Sequence, residues 1–248
     1  GAGGAITAAA LARAGRTVTL VEEGPWVDAD ALEPFSLQEM VAKYRHHGLA
    51  AALGNPAIAY AEGRCVGGST EINSGLYHRL PDHLATEWRT TYAIDEFSPE
   101  ALHGYADRVE HELSVASLPG APPPSSAALE RGATKLGWRN VEFARVFSYD
   151  AQGRGTKQTM SRTMVPRAVA EGATIIPDCR VLRLLRQGDR ITGARCRRTD
   201  PGGGVERLTI RAVECEAVTH LTRVGFGVLH EELELAVAHR GLADRTPV

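Results

Sequence analysis

Apolar positions near the start of the chain follow two rhythms. Residues 4–13 read Gly-Ala-Ile-Thr-Ala-Ala-Ala-Leu-Ala-Arg, a helix of small side chains that Gly15 ends. Alanine is the strongest helix former, and a glycine just past the last turn is the usual stop. The pattern then shortens. Thr17-Val18-Thr19-Leu20-Val21 is an unbroken β-branched and apolar run, which predicts a short buried strand, closed by Glu22-Glu23 and a Gly24-Pro25 turn. Helix followed by buried strand is the second half of a β-α-β unit, whose first strand is expected to lie before residue 1.

Further along, Ser36-Leu37-Gln38-Glu39 has the form of a capping box and predicts a helix to about His46. Residues 48–62 read as irregular, and a second Gly-rich segment spans Gly63 to Gly75. Ser98-Pro99 places a capping hydroxyl and a first-turn proline before a helix to about Leu113. Pro119 to Ser126 is a connector and Ala127 to Leu136 a helix. Another helix is expected over Thr159 to Glu171, started late or kinked by Pro166. From residue 174 the period changes to that of strands: Thr174–Ile176, Arg180–Arg186, Arg190–Arg198 and Val205–Arg211. Gln187-Gly188-Asp189 and the Asp200–Gly204 run supply turns, so the last three form a β-meander.

Composition narrows the function classes. A hydrophobic share of 43% and a charged share of 23% are those of a soluble globular protein. Lys and Arg number 28 against 30 Asp and Glu, so no surplus charge points to nucleic acid or a membrane surface. The most apolar run, Gly48 to Ala61, is broken by Gly54, Asn55 and Pro56, short of a transmembrane span. Cys65, Cys179, Cys196 and Cys215 lie far apart with no Cys-x-x-Cys pair. Structural thiols in a cytoplasmic protein are therefore expected, with neither a disulfide framework nor a metal site. No signal peptide is visible, but the chain begins at Gly1, so this says little about a leader.

A dinucleotide site needs glycines where backbone meets a pyrophosphate, a helix N-terminus facing that anion, and an acid on the next strand for a ribose hydroxyl. Gly1 and Gly4 fit the last two glycines of that fingerprint, with Gly3 in the same opening, and Glu22 is the acid. Gly4 and Glu22 are 18 residues apart, against about 20 in the general pattern. A Gly/Ala-rich helix start followed by two surface acids would look similar, and the fingerprint suits NAD and FAD equally.

The second Gly-rich segment is more specific. Gly63-Arg64-Cys65-Val66-Gly67-Gly68-Ser69-Thr70-Glu71-Ile72-Asn73 resembles the first signature of glucose–methanol–choline oxidoreductases at eleven consecutive positions, with Tyr77 at the aromatic position that follows. The next expected small residue or proline is Leu80 here, with Pro81 one place late. Gly67 and Gly68 would let backbone pass a planar ring system without a Cβ, and Ser69, Thr70 and Asn73 carry hydrogen-bonding groups for it. The resemblance implies FAD as cofactor, with Asn73 and the backbone of Ser74, Gly75 and Leu76 along the isoalloxazine and Val66 and Thr70 also in contact. Gly172–Ile176 followed by Cys179–Leu184 resembles the family's strand pair, which implies that Val181 presents its backbone to the adenine. A glycine turn before a capped helix, and a core valine at 181, are the plainer alternatives.

The implied fold is α/β: a Rossmann-like FAD-binding fold lacking its first strand, with a β-meander and a partial substrate-domain insertion. Residues 1–76 would form the FAD core, 77–165 the insertion, 166–211 the return to the FAD domain, and 212–248 an unassigned tail. The implied activity is oxidation of an alcohol CH–OH group to a carbonyl by hydride transfer to flavin, with oxygen or an external acceptor reoxidising it. A noncatalytic remnant, or another FAD- or NAD-linked dehydrogenase, are the alternatives.

After Arg211 the resemblance ends: no Ala-Gly-Ala-type turn follows, and Glu231 to His239 reads only as a further helix. The family's paired histidine lies beyond this point, and His220, His230 and His239 lack its motif, so no catalytic residue is assigned and this chain alone is expected to be inactive. A fragment, or a reading frame altered near residue 212, is the expectation, with an exposed sheet edge and poor stability. Elsewhere, His78 and Arg79 are expected to pack or lie on the surface, His46-His47 to sit at a helix end, Glu110–Glu112 to form a solvated helix face, and Arg195–Arg198 a charged strand edge.

Overall fold

In a computed structural model that describes residues 1–200, 202–212, 214–217, 235–238 and 244–246, the first helix, α1 (Ala2–Arg13), turns Gly4, Ala5, Ala8, Ala9 and Ala12 inward. Its partner is a late helix over Met164–Ala170. β1 (Val18–Val21) follows and is buried along its whole length, as a central strand covered on both faces must be. α2 (Leu37–Lys43) starts as expected, with the Ser36 hydroxyl accepting the Glu39 N–H at 3.1 Å and the Glu39 carboxylate accepting the Phe35 N–H at 2.7 Å. It ends earlier than expected. His46 and His47 take positive φ in a 3-10 turn, so they lie outside the helix. Residues 48–62, expected to be irregular, contain a small hairpin of β2 (Ala50–Ala52) and β3 (Ile58–Tyr60).

The chain then passes through β4 (Leu76–Tyr77), α3 (Asp82–Tyr92), α4 (Pro99–Glu112), β5 (Val115–Ala116), α5 (Pro124–Lys135), β6 (Ala144–Tyr149) and β7 (Gly155–Lys157). It returns through α6 (Met164–Ala170), β8 (Thr174–Ile176), β9 (Cys179–Gln187), β10 (Arg190–Thr199) and β11 (Val205–Arg211). The backbone of β12 (Glu214–Ala217), β13 (Leu235–Ala238) and β14 (Asp244–Thr246) completes the described residues. Pro166 falls in the first turn of α6, so the helix expected from Thr159 begins at Met164. Residues 235–238 are a strand where a helix was expected, and residues 231–234 of that expectation lie outside the described residues.

Two units divide the chain: residues 1–73 with 159–248, and residues 74–158. In the first unit β1 pairs in parallel with β8, Leu20 opposite Ile175, as in a β-α-β arrangement. On its other side β13 runs antiparallel, Val18 opposite Ala238, so β1 has no open edge where one was expected. α1 and α6 pack through alanines, Ala8 and Ala168 both fully buried. A second sheet has the order β14-β11-β10-β9, the expected meander with one strand added. Its inner face buries Cys179, Ala194, Cys196, Leu208 and Ile210 against Val21 of β1. Arg195–Arg198, expected at an edge, therefore lies on an interior strand, with β9 on one side and β11 on the other. Cys65, Cys179 and Cys196 are buried thiols without a disulfide.

The second unit has a sheet ordered β4-β6-β5, with β7 on the far end of β6. Glu110, expected on a solvated face, instead takes a paired hydrogen bond from Arg79 at 2.5 Å on each oxygen, and Asp107 takes a third at 2.6 Å. The start of α4 is set by Ser98, whose hydroxyl accepts the Ala101 N–H at 3.2 Å. Ser98→Ala is expected to cost about 1 kcal/mol, the usual worth of an N-cap. Urea unfolding followed by circular dichroism measures it, and an unchanged midpoint would show that the cap contributes nothing here. Among the described residues no helix is long and apolar enough to cross a membrane.

Candidate cofactor-binding site

The strand β1 delivers Glu22 to the place where β1, β8 and β9 meet. The Glu22 N–H donates to the Ile176 carbonyl at 3.0 Å, and its own carbonyl accepts the Cys179 N–H at 2.8 Å. The side chain is 8% exposed and accepts the Gly24 N–H at 2.7 Å, which holds a carboxylate at a strand exit in one orientation. At the same end of this helix–strand pair, the N-terminus of α1 carries no capping side chain and no acid in its first turn. Gly4 is buried there while Gly1 and Gly3 are less covered. An uncapped helix start presents N–H groups and the positive end of the helix dipole, the arrangement that receives phosphate.

The second Gly-rich segment is laid against the exit of β1. The Val66 N–H donates to the Pro25 carbonyl at 3.0 Å, and the Arg64 N–H to the Lys43 carbonyl at 2.7 Å. The approach is close enough that a Cβ on Gly24 would stand 2.2 Å from the Arg64 carbonyl oxygen. Within the segment Gly67 has φ of +96° and opens a 3-10 turn, Gly68–Thr70, which lies against α1. Such a φ favours glycine.

The hydroxyls expected to serve a ligand serve the loop. Ser69 Oγ accepts the Gly63 N–H at 3.0 Å. Thr70 Oγ1 donates to the Gly67 carbonyl at 2.7 Å and accepts the Met160 N–H at 3.1 Å. Glu71, 7% exposed, accepts the Ser161 N–H at 3.2 Å. Asn73 stays exposed, its N–H on the Ser69 carbonyl at 3.0 Å.

Electrostatics keep this region in fixed protonation states. Burial, reinforced by Glu71 and Glu22, pushes the Cys65 thiol up to about 12, so it remains a neutral packing group. Lys43, almost wholly buried, is paired with Glu39 at 3.0 Å. Glu23 accepts from Arg45 at 3.1 Å, with Arg64 at 3.5 Å and Arg180 at 3.9 Å. Burial alone would raise the Glu23 carboxyl, but the Arg45 hydrogen bond and the three guanidinium charges outweigh it and hold the group below the usual carboxylate range.

The remaining expected residues fall in two places. Val181 on β9 is half-buried opposite Cys196 and packs against the meander core. Ser74, Gly75 and Leu76 belong to the second unit, where Gly75 has φ of +69°, its carbonyl accepts the Val146 N–H at 2.8 Å, and Leu76 is 55% exposed. Beside them Tyr77 is pushed up to about 12, first by burial and then by its hydrogen bond with Glu110. Sequence reasoning passed over Gly24, Gly63, Glu23 and Glu71. Gly63 and Glu71 were readable only as motif letters, Gly24 as a turn and Glu23 as one of two surface acids.

A buried acid at a strand exit, an uncapped small-residue helix and a glycine segment crossing between them define a dinucleotide-binding α/β protein. The family model described as GMC oxidoreductase matches residues 38–217, and the chain belongs to that family. The chain is 35% identical over 221 residues to an uncharacterized GMC-type oxidoreductase of Sinorhizobium fredii, covering 86% of this chain and 44% of that one. It is 26% identical over 194 residues to a long-chain-alcohol oxidase of Arabidopsis thaliana, covering 75% of this chain and 26% of that one. Among solved structures, pyridoxine 4-oxidase from Mesorbium loti shares the fold with a TM-score of 0.59 at 17% identity, over 84% of this chain and 45% of that one. The chain thus spans less than half the length of these relatives. FAD is the cofactor of this oxidoreductase domain, and the donor set described above fits it.

Proposed function

We propose that this chain holds FAD for the oxidation of an alcohol CH–OH group to a carbonyl. The observation that carries the reading is the Gly63–Asn73 segment fixed by the Val66-to-Pro25 hydrogen bond onto the exit of the strand that bears Glu22. Bound there, FAD supplies the two-electron acceptor for a hydride. Glu22 accepts from the ribose hydroxyls, and the N-terminus of α1, with Gly1, Gly3 and Gly4, receives the pyrophosphate. Backbone of Val66, Gly67, Gly68, Ser69 and Thr70 runs along the flavin, joined by Asn73, Ser74, Gly75 and Leu76. The backbone of Val181 meets the adenine. The alcohol's hydroxyl proton goes to a base whose pKa lies near the working pH, a role assigned to none of the residues named here. Oxygen or an external acceptor takes the electrons afterwards.

Supporting the reading are the family membership and the likeness to a long-chain-alcohol oxidase. The test is anaerobic addition of primary alcohols to the protein saturated with FAD. This chain alone is expected to take up FAD without bleaching, and bleaching of the oxidised-flavin absorbance with carbonyl formation is expected of the longer protein that also carries the base. No FAD uptake, or no bleaching by any alcohol in the longer protein, would overturn the reading.

A further inference from the structure

We infer that Glu23 is a positioning residue, gathering arginines from three separate segments and thereby fixing the second Gly-rich segment and strand β9 onto the exit of β1. The functional meaning rests on the flavin-site reading above. Glu22 and Glu23 are neighbours at a strand end, where successive side chains leave on opposite sides. Glu22 takes the Gly24 N–H, and Glu23 is left to face the arginines. Arg45 comes from the stretch after α2, Arg64 from the glycine segment itself, and Arg180 from the start of β9.

The arms differ in shielding. Side-chain exposure is 22% for Glu23 and 13% for Arg45, but 42% for Arg64 and 44% for Arg180. Exposed single pairs contribute little, whereas a shielded pair extended into a network contributes more. Arg64 is tied twice, since its Nη2 also donates to the Glu23 backbone carbonyl at 3.5 Å. Two residues further on, Val66 makes the hydrogen bond to Pro25 that seats the segment. Removing the Glu23 charge would leave three guanidiniums around a half-covered point, with Glu62 still paired to Arg45 at 3.0 Å. Like charges would then push Arg64 and Arg180 outward, and with them the two segments that carry Val66 and Val181.

Amide hydrogen exchange on the full chain tests this. Glu23→Gln is expected to speed exchange at Val66 and Gly68 about tenfold, the worth of one charge-assisted hydrogen bond. Glu62→Gln, which removes a different partner of Arg45, should leave those amides within about twofold. Glu23→Asp keeps the charge and should restore most of the protection. Arg64→Met should loosen Val66 and Gly68 but spare the β9 amides, and Arg180→Met should do the reverse. If Glu23→Gln leaves Val66 and Gly68 unchanged, or every variant loosens both segments alike, the positioning role is overturned. A parallel FAD titration separates the two claims. Wild type that takes up no FAD overturns the flavin reading while the exchange pattern still decides the role of Glu23.

Discussion

Gly24→Ala is expected to unseat the cofactor region, with a loss of stability of about 3 kcal/mol, the upper range for overpacking against groups that cannot rotate away. The obstacle is main chain. The added Cβ would stand 2.2 Å from the Arg64 carbonyl oxygen and 2.5 Å from the Cys65 nitrogen. Relief therefore requires β1's exit and the Gly-rich segment to separate, which breaks the Val66-to-Pro25 hydrogen bond and loosens Arg64 from Glu23. Stability and FAD uptake should fall together, with denaturant unfolding reading the first and flavin fluorescence the second. Gly172→Ala is a useful control, because its Cβ would meet nothing within 4 Å although its φ is +91°. Since Gly24 has no left-handed φ, a Gly24→Ala variant that kept its stability and FAD uptake would show that the close approach does not make glycine necessary at position 24.

Glu22→Ala carries the second large effect. Two losses combine: the acceptor proposed for the ribose hydroxyls, and the acceptor of the buried Gly24 N–H at 2.7 Å. Each hydrogen bond to a charged group is worth about 1.5–3 kcal/mol, so FAD affinity should fall about 10- to 100-fold. Glu22→Gln separates the two, since its amide oxygen can still accept from Gly24 while the charge is gone. Isothermal titration with FAD and with FMN, which lacks the adenosine half, gives the deciding comparison. A ribose role predicts that the Ala variant loses FAD affinity and leaves FMN affinity in place. Parallel losses for both ligands would assign Glu22 to holding the turn only.

What the sequence disclosed was the part written in local patterns. The alanine spacing of α1, the apolar run of β1, the capping box at Ser36, the Ser98-Pro99 start and the turn-bounded meander each declare an element within a few residues, and each is found. The Gly63–Asn73 motif declared the family because so many consecutive positions are constrained at once. The failures are of pairings between distant residues. β4, β5 and β7 are two or three residues long and owe their strand character to β6, so no periodicity announces them. α3 begins at Pro81 without a capping side chain, which removed its start signal. The charge of Arg195, Arg197 and Arg198 suggested an edge, yet alternation puts Cys196 inward and Arg195 and Arg197 outward on an interior strand, with Arg198 half-buried opposite Cys179. Nor could a sequence show that the Ser69 and Thr70 oxygens accept from Gly63 and Met160.

That last claim bears on how such a chain can change. The segment leading out to residues 74–158 and the one leading back are clasped to each other inside the first unit, Thr70 holding Met160 and Glu71 holding Ser161. Residues 74–158 thus run between two segments that hold each other. Descent with modification can therefore lengthen, shorten or exchange that stretch while the dinucleotide frame keeps its shape. A lineage built in this way has room to vary what it acts on faster than how it holds its cofactor.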